Sequence, residues 1–420
     1  MLASLVKRAG GVALGIAVGQ GMVLLVTPYL ARHYSPAEFG ALALLMTVSN
    51  LSTAAACLRY DLALPSSKES ETRGLLVTAL VVAGAMAVLA AAVLAATSDG
   101  FLAKHAGSLA KEPVLVGSCI LLVGFHQATS AWMLGRGAFK SVAGMRLSQG
   151  AGFSLLSVIP GFGLLWAHVL SFGAGLIGLR PALTARREGE APWCAVAWQN
   201  RQFPGLSLPG ALLDVCGYSL CIWVIASFYG QAMAGNYSQI QRLTGAPLML
   251  VSISLGQILL KQTADISSDR AALRHFLGRV LLGLAVLALA GLVFLWFFGQ
   301  PIFARLLGAK WKVDREFILF VAVAVFVRAC VSPLSSILVT LRRFKAALVW
   351  QMLYFCSASL LMPFVAARIG FERYILFYAA HECAFYGLYL LIIYRAIRAG
   401  SDSGVSPGDA TAEAWWSNWF

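Results

Sequence analysis

Three arginines and one aspartate fall where charge is expensive. Arg59 closes the second of a series of long apolar runs, Arg242 stands about two turns into the eighth, Arg328 near the middle of the tenth, and Asp214 about two turns into the seventh. A charged side chain at the centre of a bilayer costs roughly 2.5–3.5 kcal/mol on insertion scales, so it faces a cavity or a partner. Two readings follow. Asp214 can neutralise one of the arginines as a buried bridge. Alternatively, Arg59, Arg242 and Arg328 present a positive lumen to an anionic substrate, whose oxygens suit the guanidinium fork. At Arg59, with Asp61 beside it, an interfacial anchor reaching water is an equal alternative. His126 and His168 stand isolated in apolar sequence, as structural histidines do.

Other chemistries lack residues to stand on. The sequence has no Asp-x-Asp, no His-Glu-x-x-His and no phosphate-binding GxxxxGK. No catalytic residue, metal or cofactor is therefore expected, and the chain is not expected to be an enzyme. The eight cysteines sit mostly inside apolar runs without metal-like spacing and read as small packing residues.

The elements that hold these charges are set by composition. Of 420 residues, 59% are hydrophobic and only 12% charged. A soluble globule carries about 25% charge, so this is a polytopic membrane protein. A hydrocarbon core of ~30 Å needs ~20 apolar residues per helix. Twelve such runs are present: 9–31, 40–60, 74–97, 114–134, 142–160 and 162–183, then 206–228, 236–260, 277–299, 316–340, 346–367 and 374–396. The expected fold is all-α, with twelve transmembrane helices in two six-helix bundles, 1–183 and 206–398, around a central cavity. A charged linker, 184–205, joins them, and a tail, 399–420, reads as disordered.

A net charge of +14 would suggest nucleic acid in a soluble protein. Here Lys and Arg gather in alternate loops, which places both termini in the cytoplasm and excludes nucleic acid as a partner.

The two halves repeat each other. ARHYSPAEFG, Ala31 to Gly40, returns as ASFYGQAMAG, Ala226 to Gly235, with Ala31, Tyr34, Ala37 and Gly40 matched at unchanged spacing. An Arg/Phe/Lys turn, LGRGAFK at Leu134 to Lys140 and LRRFK at Leu341 to Lys345, also recurs once per half. Six helices return each half to its starting side, so the halves are parallel repeats about an axis along the membrane normal. Gly11, Gly15 and Gly19 bare one face of the first helix for close packing.

The Tyr34 to Gly40 hinge, the Leu-Arg-Tyr-Asp-Leu-Ala-Leu-Pro end of the second helix at Leu58 to Pro65, and the twelve-helix length resemble the polysaccharide-transporter branch of the multidrug/oligosaccharidyl-lipid/polysaccharide (MOP) exporter superfamily. O-antigen and capsule-type flippases are the look-alikes. The resemblance implies alternating access in the bacterial inner membrane. Undecaprenyl-pyrophosphate-linked oligosaccharide would move from the cytoplasmic to the periplasmic leaflet for surface polysaccharide such as lipopolysaccharide O-antigen. Membrane lipids, a polysaccharide polymerase and assembly proteins would be partners. Arg59, Arg242 and Arg328 would then meet pyrophosphate, while Gln239, with Asn50, Gln127, Asn236 and Gln351, would bond sugar hydroxyls where they face the cavity. Tyr218 and Trp223 could stack on sugar rings. The rivals are a multidrug exporter of the same superfamily, which needs an intramembrane acidic cluster where Asp214 is the only clear carboxylate, and a membrane polysaccharide polymerase.

Overall fold

The computed structural model describes residues 2–97, 107–184, 192–266, 269–341 and 343–399. Among the described residues the chain forms helices and no strand. In order they are α1 (Leu2–His33), α2 (Pro36–Ala55), α3 (Glu69–Ala96), α4 (Pro113–Gly135), α5 (Phe139–Leu156), α6 (Leu164–Ser171), α7 (Ala174–Thr184), α8 (Trp193–Gln199), α9 (Leu208–Tyr229), α10 (Gln231–Asp265), α11 (Arg270–Leu307), α12 (Arg315–Val331), α13 (Ser335–Thr340), α14 (Phe344–Ala366) and α15 (Phe371–Ala399). The pairs α6/α7 and α12/α13 each make one broken span, and α8 belongs to the linker. The protein is thus an all-α polytopic membrane protein, with twelve spans in two bundles of six around a central cavity. Residues 185–191 of the linker and 400–420 of the tail lie outside the described residues.

Eight of these spans are long and apolar enough to cross a membrane, and α2 with the bent turns after it makes a ninth. The other three are α5, α6/α7 and α10. All three carry buried or half-buried polar groups, Arg146 on α5, His168 on α6, and Asn236, Gln239 and Arg242 on α10. Such helices suit the protein interior better than lipid.

The core explains the shape. One apolar cluster is shared by both halves, joining Leu30, Phe39 and Leu42 to Ile225, Tyr237, Ile318 and Tyr374. Two further clusters are separate, one in each half: Ala56 to Leu76 with Ala128 and Trp132 in the first, and Leu259, Leu334, Trp350 and Ile393 in the second. The shared cluster lies at the hinge end, where residues 34–36 and 229–231 connect α1 to α2 and α9 to α10. The separate clusters lie at the opposite, termini end. The halves are therefore joined at one end and separate toward the other.

Both hinges break the helix, by different chemistry. Ser35 Oγ accepts from the Glu38 backbone N–H at 3.3 Å, Glu38 Oε2 accepts from Ser35 N–H at 2.8 Å, and Pro36 opens α2. This capping box satisfies donors that a helix start otherwise leaves bare. The second hinge uses Gly230 instead, at φ 89°. In each half the matched tyrosine ties its hinge to the far end of the fifth span. Tyr34 donates to the Ser157 carbonyl at 3.0 Å, and Tyr229 donates to the Ile369 and Ala366 carbonyls at 2.9 and 3.1 Å. The turns after the fourth and tenth spans close alike, Ala138 N–H to Met133 O at 2.9 Å and Arg343 N–H to Leu338 O at 2.8 Å. A neutral hydrogen bond contributes ~1 kcal/mol net. Tyr34→Phe should therefore lower stability by about that amount and Tyr229→Phe by at least as much. Thermal unfolding of the purified variants reads this directly, and unchanged melting in both would refute the tie.

The hinges also meet each other. A Cβ on Gly40 would overlap the Gln231 carbonyl, and one on Gly235 would overlap the Pro36 carbonyl. One offset of 195 residues (235 − 40 and 231 − 36) relates the two contacts, so the repeat packs against its own copy. Around them, Arg32 donates to the Arg305 carbonyl at 2.9 Å, Trp311 Nε1 to the Ala31 carbonyl at 3.0 Å, and Gln231 Nε2 to Ser108 Oγ at 2.9 Å. Lys312, in the loop before α12, bonds Glu372 at 2.7 Å, which raises the lysine pKa.

Elsewhere α2 runs along α9, whereas α1 and α10, the equivalent pair under the duplication, meet at few points. The first-helix glycines do allow close packing: a Cβ on Gly15 would stand 2.7 Å from the Ala143 carbonyl, and one on Gly19 3.0 Å from that of Arg146. The linker is not wholly extended. Its helix α8 docks on the first bundle, with its Trp193 carbonyl accepting from Thr78 at 3.3 Å and its Ala197 carbonyl from Tyr60 at 3.3 Å.

Candidate functional site

On α10, Gly235, Gln239 and Arg242 follow at intervals of four and three and share one helix face. Gly235 fixes that face against α2. Gln239 is 2% exposed, and its Oε1 has no partner among the described residues. Arg242 lies ~10 Å farther from the hinge, at 1.5 Å per residue. It is half-buried, and among the described residues no acceptor bonds it and no carboxylate pairs with it. Its field reaches His168, whose Nε2 is 2.8 Å from Ser49 Oγ on α2. A cation without a counter-ion among the described residues thus stands between the two halves, ~16 Å along α10 from its start at the hinge.

Arg328 sits differently. From α12 its Nη2 donates to Glu382 Oε2 on α15 at 2.8 Å and to Tyr354 Oη on α14 at 2.8 Å. Tyr354 in turn donates to Glu382 Oε1 at 2.6 Å. The guanidinium lies 4.7 Å over the ring of Tyr218 on α9. This overturns one expectation: Asp214 is not the only intramembrane carboxylate, and it is not the partner of Arg328. Asp214 is exposed on the wall of a cavity of about 160 Å³ that it shares with Tyr218, Arg328, Trp350, Gln351 and Tyr354. Adjacent residues on a helix point apart, so His381 faces Ser357 Oγ at 2.9 Å while Glu382 faces Arg328. One signal for Glu382 was present in the sequence. Both residues stand mid-span on helices that start at the hinge end, 13 residues after Arg315 and 11 after Phe371. Their depths therefore match within ~3 Å.

Arg59 marks the termini end of α2. There the chain bends by 56° into the turns over Tyr60–Leu62 and Leu64–Ser66, and Leu58 and Arg59 take left-handed backbone, at φ 45° and 65°. Two consecutive non-glycine residues in that region store strain, which the surrounding packing must hold. Arg59 Nε donates to Ser207 Oγ at 3.3 Å, reaching across to the first residue before α9. Asp61 is buried and accepts from Gln127 Nε2 at 3.2 Å.

The three arginines are not gathered into one cluster. Arg59 bridges the halves at the termini end, Arg242 faces the interface toward the hinge end, and Arg328 is held inside the second half. Sequence reading also missed a cation. Arg146, inside the run 142–160 but not singled out among the costly charges, lies within α5, half-buried, with its field reaching His126. Its place inside a short polar span was the available sign. Trp223 packs on the shared core, leaving Tyr218 as the accessible aromatic of the two proposed stacking rings.

Comparison with known proteins gives a consistent picture. Residues 29–316 match a family model described as polysaccharide biosynthesis protein. No curated protein is similar enough in sequence to count as a relative. Among solved structures, the inward-facing conformation of a multidrug resistance MATE family transporter of the MOP superfamily superposes with a TM-score of 0.67 at 13% identity, covering 94% of this chain and 99% of that one. The eukaryotic MATE transporter AtDTX14 gives 0.56 at 13%, covering 94% and 97%. The Vibrio cholerae MATE transporter VcmN in its bent form gives 0.51 at 15%, covering 94% and 98%.

Proposed function

Because the chain belongs to the polysaccharide biosynthesis protein family and has the fold of MOP-superfamily transporters, we propose that it is a flippase for undecaprenyl-pyrophosphate-linked oligosaccharide. It takes this substrate from the cytoplasmic to the periplasmic leaflet of the bacterial inner membrane for O-antigen, capsule or exopolysaccharide synthesis. In this reading the hinge end is periplasmic, both termini are cytoplasmic, no covalent chemistry is performed, and the product passes to a polysaccharide polymerase. One observation carries the substrate assignment: Arg242, a guanidinium between the halves without a counter-ion among the described residues. An uncompensated charge at that depth is expensive, and a pyrophosphate oxygen pair would repay it with charge-assisted hydrogen bonds. Arg59 offers a second contact at the cytoplasmic mouth. The gap between α1 and α10 would let the polyprenyl tail remain in lipid while the headgroup enters.

Complementation of a strain lacking its own O-antigen flippase tests the reading, with every variant compared at matched membrane abundance. Arg242→Ala should lower surface polysaccharide about tenfold or more, the size of a lost hydrogen bond to a charged group. Arg328→Ala should instead accumulate less in the membrane and, once abundance is matched, retain most of its polysaccharide, because its role is structural. Wild-type polysaccharide from Arg242→Ala would remove the assignment. A second reading, export of a small cation, is favoured by Asp214, exposed on a cavity wall and without an ion pair among the described residues. It would be preferred if Asp214→Asn abolished resistance to a cationic dye that wild-type protein confers.

A further inference from the structure

The cavity beside Arg328 plays no part in holding pyrophosphate, and its charge balance says what it can hold. Arg328 is already neutralised by Glu382 at 2.8 Å, so Asp214 leaves the cavity with one net negative charge. An anion would be repelled there. A volume of about 160 Å³ is well below the ~300–1,000 Å³ that accommodates drug-sized ligands, and suits a single six-membered ring with its substituents. Tyr218 lines the cavity and is 41% exposed although the Arg328 guanidinium lies 4.7 Å from its ring centroid, so apolar ring surface remains accessible. Asp214 lies one turn before it on the same face of α9, a charged acceptor without an ion pair among the described residues. Gln351, across the cavity on α14, adds an amide that can both donate and accept. Trp350 is not a platform, because it is buried and stacked on Tyr354 at 5.3 Å and Tyr389 at 4.2 Å.

An exposed aromatic face, a carboxylate at its edge and an amide opposite match the two kinds of surface on a pyranose, apolar C–H faces and equatorial hydroxyls. We infer that this cavity is a subsite for one uncharged or amino-bearing sugar ring of the transported repeat, stacked on Tyr218 with hydroxyls donating to Asp214. The inference rests on the lipid-linked oligosaccharide reading above. It separates the two ends of the substrate: pyrophosphate at Arg242, sugar in the second half. It also implies that a uronic acid is excluded from this position.

The test uses the purified full-length chain in lipid nanodiscs and saturation-transfer NMR with free galactose, rhamnose, N-acetylglucosamine, glucosamine, glucuronic acid and inorganic pyrophosphate. At least one uncharged or amino sugar should receive saturable transfer at its ring C–H protons. That signal should weaken about tenfold or more in Asp214→Ala, the size of one charge-assisted hydrogen bond, and severalfold or more in Tyr218→Ala, which removes the stacking face. It should persist in Arg242→Ala, and glucuronic acid and pyrophosphate should not compete for it. Absence of saturable transfer from all four uncharged or amino sugars at tenth-molar concentration overturns the subsite, as does transfer indifferent to both variants. Flipping of fluorescent lipid-linked oligosaccharide in proteoliposomes, measured in parallel, distinguishes the failures. Flipping without sugar binding removes only the subsite, and sugar binding without flipping removes the flippase.

Discussion

One methyl group on Gly235 should stop transport while leaving the protein in the membrane. A Cβ at Gly235 would overlap the Pro36 carbonyl, and one at Gly40 would overlap that of Gln231. Backbone atoms cannot swing aside as a long side chain can, so the two helices must part. Overpacking of a core costs about 1–3 kcal/mol when side chains yield, and more is expected here. The added cost falls only on conformations in which the hinge end is shut. A bias of ~3 kcal/mol changes a two-state ratio by more than 100-fold, enough to empty the hinge-closed state. Surface polysaccharide in the complementation assay should therefore fall about tenfold or more for Gly235→Ala and Gly40→Ala. A disulfide engineered between positions 108 and 231, whose side chains now share a 2.9 Å hydrogen bond, should form less readily in either variant. Gly210→Ala is the control, since a Cβ there meets nothing within 4 Å. Transport by Gly235→Ala equal to that of Gly210→Ala would show that the hinge end need not close.

The second large effect concerns stability. Glu382 is fully buried and the Arg328 side chain is 18% exposed, and they meet at 2.8 Å with Tyr354 joining both. Removing one member of a buried pair is destabilising by ~3–5 kcal/mol, because the other charge is left without a partner. Glu382→Ala should thus melt far below wild type and accumulate poorly. The double variant Arg328→Met with Glu382→Leu removes both charges and should recover much of the loss, since an apolar pair of similar volume can replace a buried bridge at little cost. A thermal melt of the three proteins in one detergent decides it. Equal destabilisation by the single and double variants would mean that packing, rather than charge pairing, holds this site.

The spans were legible in the sequence because membrane thickness imposes a length, and all twelve apolar runs correspond to helical segments. The duplication was legible in four small or aromatic residues, and the structure gives the reason for two of them. Gly40 and Gly235 are where backbones touch, while Tyr34 and Tyr229 anchor the hinges. Glu382 was not legible as a partner, since neighbouring residues on a helix face different ways and only three-dimensional packing selects which of His381 and Glu382 turns inward. The left-handed backbone at Leu58 and Arg59 carries no residue signature, because glycine is the usual occupant and neither position has it. The docking of α8 was hidden by the charged, proline-bearing sequence around it. Arg59, Arg242, Arg328, Asp214 and Gln239 were identifiable one at a time as costly polar groups. Their separation into three places was not, because depth along a helix is written in sequence while azimuth across a bundle is set by tertiary packing.

The reciprocal contact of the hinges also bears on how the chain is made. Gly40 and its complementary surface around Gln231 are separated by nearly half of the protein, so the groove at the start of α2 emerges long before anything can fill it. Ribosomes add about 5–20 residues each second, which leaves the first hinge unpaired for roughly 10–40 s while the intervening helices are synthesised and inserted. During that interval the nascent first bundle displays a surface shaped for a copy of itself. Insertion of α9 and α10 closes that groove within the same molecule, through the Gly40–Gln231 and Gly235–Pro36 approaches.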